Sequence, residues 1–198
     1  CVSASDTSPA TLARLAERAV AMAREAPSDP YAGLADAEQI ARDWDLAALE
    51  LAEDAPEPSA AALEEKARAA EAAAMSVAGI TQVEASAGYG RRQVHMAASN
   101  GFAGGYERNS HSVSAVAFTG SGTGMERDYA GEGRIFASDM PDAGDVGALA
   151  AERALARAGA VQPKTGTYAV LFDERVASSL IGHLTSAING AAIARGQS

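Results

Sequence analysis

Three histidines and one cysteine are the side chains of this sequence best suited to metal or covalent chemistry. His183 lies beside the apolar stripe of a helix-patterned segment. A helical zinc chelate needs a second ligand three or four residues away, because only those offsets bring two side chains to one ion. Those places hold Ser179, Leu180, Ser186 and Ala187, none of them a usual zinc ligand. His95 and His111 fall in alternating, strand-like runs near serines and arginines and read as polar groups on a sheet face. Cys1 has the chemistry of an N-terminal nucleophile whose own α-amine serves as base. The residues after it, Val2 to Ser8, read as a loop leading into a helix rather than a buried strand, so a chain terminus is the simpler reading of Cys1. Carboxylate pairs such as Glu64-Glu65, or Asp142 with Asp145, fall on solvated helix faces or at helix starts, where they complement the dipole. A Ser/His/Asp triad is assembled in space, and the many serines here single none out. No catalytic, cofactor-binding or metal-ligating residue is therefore assigned.

Gly120-Ser121-Gly122-Thr123-Gly124 superficially has the look of a phosphate-cradling loop. The dinucleotide fingerprint, however, needs a strand, a glycine turn and then a helix facing the pyrophosphate. Met125 to Tyr129 offers no helix start, and the third glycine comes one place too early, so the segment reads as a wide hairpin turn. Around it the elements follow from periodicity. Ser8-Pro9 predicts a helix start with Ser8 as N-cap, and Leu12, Leu15, Ala16, Ala19 and Met22 recur at helical spacing until Pro27. A segment rich in turn formers and acids follows, from Ser28 to Pro58, with a short helix expected over 36–42 and Trp44 and Leu46 as anchors. A second helix is predicted from Ser59 to about Met75, with Leu63, Ala67, Ala70 and Ala74 on one face. The period then changes to two. Val83 to Tyr89, Val94 to Ala98 and Val113 to Ala117 read as strands, with Gly88-Tyr89-Gly90 and Asn100-Gly101 as turns between them and a further strand over about 125–135. A third helix is expected from about Asp145 to Ala158, closed by Gly159. Tyr168 to Phe172 then reads as an apolar strand. Asp173 caps a long final helix in which Val176, Leu180, Leu184, Ala187 and Ala191 form one stripe.

Composition limits what such a chain can do. Its 198 residues suffice for one domain, or one and part of another, and 47% hydrophobic with 21% charged residues is globular usage. Only 5% are aromatic and alanine is abundant, which predicts a core of small side chains and close backbone packing. Acidic residues outnumber basic ones 26 to 16, a formal charge of −10, and the arginines are not clustered, so neither nucleic acid nor an anionic membrane is an expected partner. No apolar run is read as long enough to span a bilayer. A single cysteine precludes an intramolecular disulfide and fits a reducing, cytoplasmic setting. With no initial Met, no signal-like start and an end just after a patterned helix, both ends are read as cut points.

Several segments together resemble the TldD/PmbA family, and specifically its PmbA branch, also called TldE. They are Ala98-Ser99-Asn100-Gly101-Phe102, then Gly104-Gly105-Tyr106, the serine-rich His111-Ser112-Val113-Ser114, and Met125-Glu126-Arg127-Asp128-Tyr129. The run Pro163 to Phe172 is similar to the family's entry into its C-terminal domain. Gly182-His183 with Ser186-Ala187-Ile188-Asn189-Gly190 continues the likeness, as does Asp29-Pro30-Tyr31-Ala32-Gly33-Leu34. The resemblance implies a bacterial peptidase system of two related subunits. In the TldD-type subunit a helix carries His-Glu-x-x-x-His and helps to hold a catalytic metal, expected to be zinc. Aligned on that helix, Gly182 and Ala187 stand at the histidine positions and His183 at the glutamate. No family metal or catalytic residue carries over, which is the pattern of the metal-free branch. The implied partners are a TldD-type catalytic subunit and unfolded peptides. The implied processes are maturation of peptide antibiotics and degradation of an antitoxin. The family's older label, modulator of DNA gyrase, does not require DNA contact.

The expected fold is α+β: helices on one side of a mostly antiparallel β-meander, followed by the start of a second domain. Residues 1–162 are expected to form an N-terminal domain incomplete at its start, and residues 163–198 the beginning of a C-terminal one. The expected function is that of a non-catalytic subunit of a TldD/TldE-type metallopeptidase complex, with no cofactor in this chain. Two other readings are an independent hydrolase using Cys1 and a homo-oligomeric scaffold without catalysis.

Overall fold

The computed structural model describes residues 1–29 and 32–196. Pro30 and Tyr31, two residues of the Asp29-to-Leu34 likeness, lie outside the described residues, as do Gln197 and Ser198. The chain divides into two units, Cys1–Ala158 and Gly159–Ser198.

The first unit is an α+β arrangement. Helix α1 spans Pro9–Glu25 and α2 spans Ala60–Met75. Strands β1 (Ile80–Ala97), β2 (Ala103–Thr119) and β3 (Glu126–Arg134) form an antiparallel meander in the order β1-β2-β3, and α3 follows over Ala143–Ala156. The caps are those the sequence predicts: the Ser8 and Ser59 hydroxyls accept the backbone N–H groups of Thr11 and Ala62, satisfying donors that a helix start leaves open. Asp142 does the same for Gly144.

Helices α2 and α3 lie on one face of the sheet, and the core between them is built almost wholly from small residues. Ala70 and Ala74 of α2 meet Val146, Ala150, Ala151 and Ala154 of α3. The floor below is Val113, Ala115 and Ala117 of β2 with Ala130 of β3. Such side chains let backbones approach closely. A Cβ placed on Gly147 of α3 would sit 2.0 Å from the Ala70 carbonyl oxygen, well inside van der Waals contact. Arg153 ties α3 to the β3 edge by donating to the Tyr129 carbonyl at 3.1 Å, and Arg157 approaches the Glu126 and Asp128 carboxylates at 3.6 and 3.8 Å.

Several expected elements are realised differently. Gly88-Tyr89-Gly90 is not a turn; β1 runs through it unbroken, pairing Gly88 with Ser112 and Gly90 with Ser110. The glycines serve close packing instead, since a Cβ on Gly88 would come 3.1 Å from the Ser112 hydroxyl. The turn at Asn100-Gly101 is where the hairpin reverses, Gly101 adopting φ +94°. The segment 36–42 holds no helix, only a turn closed by Gln39 N–H donating to the Asp36 carbonyl at 2.9 Å. The Gly120-to-Gly124 segment is the β2–β3 connection, tightened by a single 3₁₀ turn over Gly122–Gly124.

In the second unit, Tyr168 to Phe172 forms no strand, as no strand of that unit lies among the described residues to pair with it. The final helix is two: α4 over Glu174–Ala187, capped by Asp173, and α5 over Gly190–Ala194. Asn189 separates them by accepting the Ala192 N–H with its own side chain at 3.0 Å, competing with the continuing helix. Contrary to the expectation that no run is apolar enough, Glu174–Ala194 is long and apolar enough to cross a membrane by length and composition alone. The break at Asn189 leaves α4 with 14 residues, roughly 21 Å of helix against a hydrocarbon core of about 30 Å. The α4 stripe is uncovered within its unit, Leu180 being 47% exposed.

Candidate functional site

The β1–β2 hairpin is far longer than the helical layer it carries, and its distal half is clamped by the loop that precedes α2. Asn109, 1% exposed in the middle of β2, holds that clamp. Its backbone N–H donates to the Leu51 carbonyl at 3.3 Å, its side-chain oxygen accepts the Glu53 N–H, and its amide donates to the Ile135 carbonyl at 2.6 Å. Two residues on, His111 is also buried and its Nε2 lies 3.0 Å from a Glu53 carboxylate oxygen. The same oxygen accepts the Ala137 N–H at 3.2 Å, and the Tyr89 ring packs on His111 with centroids 5.0 Å apart. Nearer the tip, Trp44 packs against Phe102 at 5.8 Å and over Gly104, while Asn100 donates to the Ala35 carbonyl at 2.9 Å. The Asn109 amide, the Glu53 carboxylate and the Asn100 amide each hold one segment of chain to another, so the role of the cluster is positional.

The opposite face of the sheet carries neither α2 nor α3 and has a different character. Cross-strand register places Ser86, Ser114 and Gly131 in one row, Gly88, Ser112 and Gly133 in the next, and Gly90 with Ser110 in a third. The Ser86 and Ser114 hydroxyls are 2.9 Å apart and the Ser112 hydroxyl donates to the Gly88 carbonyl at 3.4 Å. The result is a smooth floor of small polar residues and accessible backbone. Toward the hairpin tip the next row pairs Arg92 with Arg108. At the other end Val116, Phe118, Met125 and Tyr129 border a depression of about 820 Å³. On the helix-side face Glu107 accepts from Gln93 at 2.7 Å and from the Arg91 guanidinium at 2.7 Å. The Gln93 amide first, and Arg91 next, hold the Glu107 carboxyl below its ordinary range, and Glu107, by its hydrogen bond and its charge, raises the Arg91 guanidinium in turn.

Among the described residues of the first unit, those weighed for chemistry in the sequence do not meet. Cys1 is exposed on the extended N-terminal segment. His111 is buried against Glu53 rather than lying free on a sheet face, whereas His95 is exposed on β1 opposite Gly105. His183 belongs to the second unit. Among the described residues no group of three or more His, Cys, Asp or Glu side chains converges to hold a metal. The His-Glu-x-x-x-His donor set of TldD-type helices does not fit α4, where Gly182 and Ala187 supply no ligand atom. The clamp residues Glu53 and Asn109 carry no local sequence signature, being 56 residues apart. An asparagine inside an alternating strand pattern is nevertheless unusual enough to mark the position.

Residues 53–158 match the family described as the PmbA/TldA metallopeptidase central domain. Over 195 residues, 98% of this chain, the sequence is 35% identical to Metalloprotease PmbA of Escherichia coli O157:H7, covering 43% of that protein. The fold superposes with a TM-score of 0.71 on a crystal structure from Bacteroides thetaiotaomicron of a protein proposed to be a modulator of DNA gyrase. That match is 24% identical and covers 96% of this chain and 44% of that one. The chain thus spans a little under half the length of these relatives.

Proposed function

The chain belongs to the TldD/PmbA metallopeptidase family, on its PmbA (TldE) branch, and from that premise we propose that it acts as the non-catalytic half of a two-subunit peptidase. A TldD-type partner would hold the metal, and the pair would admit unfolded peptides in the cytoplasm. The observation that carries this reading is the content of α4. Where the TldD-type helix is expected to present two histidines and a glutamate, this chain has Gly182, Ala187 and His183. One imidazole without a second donor within a turn does not hold a zinc ion.

The floor of serine and glycine on the open sheet face supports a role in accommodating extended chain, since it offers backbone and hydroxyl groups without bulky side chains. β1, an edge strand of the sheet, offers strand addition as the mode of engagement. Maturation of peptide antibiotics and degradation of an antitoxin are the processes in which such a pair would act.

The experiment is metal analysis by mass spectrometry on protein purified without chelators, alone and co-purified with a TldD-type subunit. Metal is expected only in the co-purified sample, together with peptidase activity. Stoichiometric zinc in the protein alone would defeat the reading.

A further inference from the structure

The open sheet face concentrates positive charge on an otherwise acidic chain. Its strand residues carry Arg92, Arg108 and Arg127 against a single carboxylate, Glu84, whereas the chain as a whole has a formal charge of −10. Arg92 and Arg108 are paired directly across β1 and β2, and both are exposed. Like charges in that position repel and weaken a hairpin. The available counter-charge is spent on the other face, where Glu107 is taken by Arg91 and Gln93. Neither Arg92 nor Arg108 makes a hydrogen bond or ion pair among the described residues. Beside them Gly90 and Ser110 fill little space and leave a depression of about 350 Å³. Two unneutralised guanidiniums at the head of a small-residue floor are arranged to receive an oxyanion from outside the unit.

We infer that Arg92 and Arg108 form a recognition site for a carboxylate side chain of an extended acidic peptide lying on the open sheet face. The inference rests on the peptide-handling reading and adds a charge preference to it. Guanidinium pairs grip a planar carboxylate through parallel N–H donors, and the Ser/Gly floor lets the rest of the peptide lie close to the sheet. A lysine-rich peptide would meet repulsion at the same place, so the site discriminates as well as binds.

The test uses the full-length protein together with its TldD-type subunit and two fluorescein-labelled, unstructured decapeptides, read by anisotropy. One peptide contains Asp and Glu, the other their Asn and Gln counterparts. The acidic peptide is expected to bind about tenfold more tightly, with the advantage shrinking as salt rises. In an Arg92→Gln/Arg108→Gln variant that advantage should vanish while the amide peptide binds as before. Melting of the variant should occur at the same or a higher temperature, because a cross-strand repulsion has been removed. A lowered melting temperature would show that the pair is structural and overturn the inference. Equal binding of both peptides by the unaltered protein would overturn it and leave the peptide-handling reading standing. Absence of binding by either peptide would overturn both.

Discussion

Asn109 shows how much one side chain can hold. It is buried within a strand, and its amide bridges two segments, Glu53 on one side and Ile135 on the other, that are also joined by the Ala137 N–H donating to the Glu53 carboxylate. Asn109→Ala would leave a buried donor and a buried acceptor unpaired, which costs about 1–3 kcal/mol for each group. We expect a loss of about 2–4 kcal/mol in urea unfolding. Asn109→Asp should recover only part, since it restores the acceptor for Glu53 and not the donor to Ile135. A second residue-scale expectation concerns acid. Glu107 is held below its ordinary value of 4.5, first by Gln93 and then by Arg91. A carboxyl whose folded value is depressed contributes stability above its unfolded value, and loses it as pH falls through the folded one. Melting temperature recorded from pH 6 to pH 3 should therefore fall less steeply in Glu107→Gln than in the unaltered protein. Equal slopes would show that the Arg91–Glu107–Gln93 set adds nothing in solution.

At the scale of elements, the helices with capping residues and the hairpin reversal at Asn100-Gly101 were legible, and the unbroken length of β1 was not. Ser8, Ser59 and Asp173 announce α1, α2 and α4 because capping is a contact within four residues, which local spacing records. The length of β1 was hidden by Gly88-Tyr89-Gly90, whose composition is that of a turn but whose purpose is close packing against Ser112 and Ser110. Nothing in the spacing distinguishes these two uses of glycine, since the difference lies on the partner strand. The Asn189 break escaped notice for the opposite reason. Its apolar stripe continues through the break, and only the side-chain cap starts a new helix. The Glu53–Asn109–His111 clamp was not legible, because it joins residues more than fifty positions apart. The clamp also makes an element-scale prediction. Trp44→Ala would remove the contact that pins the loop to Phe102 and Gly104, and limited proteolysis should then cut within 40–53 sooner than in the unaltered protein. An unchanged cleavage rate would mean that Asn109 and Asn100 hold the loop without Trp44.

For the whole molecule, charge and pairing set the expected behaviour. A formal charge of −10, with 16 basic residues scattered along the chain and only three arginines on the open sheet face, gives no path for phosphate neutralisation along a duplex. Duplex DNA at about 150 mM salt should show no anisotropy change with this protein; retention there would require a basic surface outside this chain. The remaining thiol tests the rival hydrolase reading. Cys1→Ala should leave peptidase activity of the paired complex unchanged, while loss of activity would restore Cys1 as a nucleophile.

The alanine core reverses the usual logic of mutational probing. Ala70, Ala74, Ala115, Ala117, Ala150, Ala151 and Ala154 are already at the size to which such surveys truncate a side chain, so a conventional alanine scan would pass over the centre of this domain in silence. Sensitivity here runs toward added volume. Gly147→Ala, a change ordinarily favourable in a helix, drives a methyl group into the Ala70 carbonyl and should cost about 1–3 kcal/mol, read by thermal unfolding. Natural variation at these positions should be bounded from above rather than below. Catalogues of tolerated substitutions would find the interior of this protein intolerant of the very residues that most interiors favour.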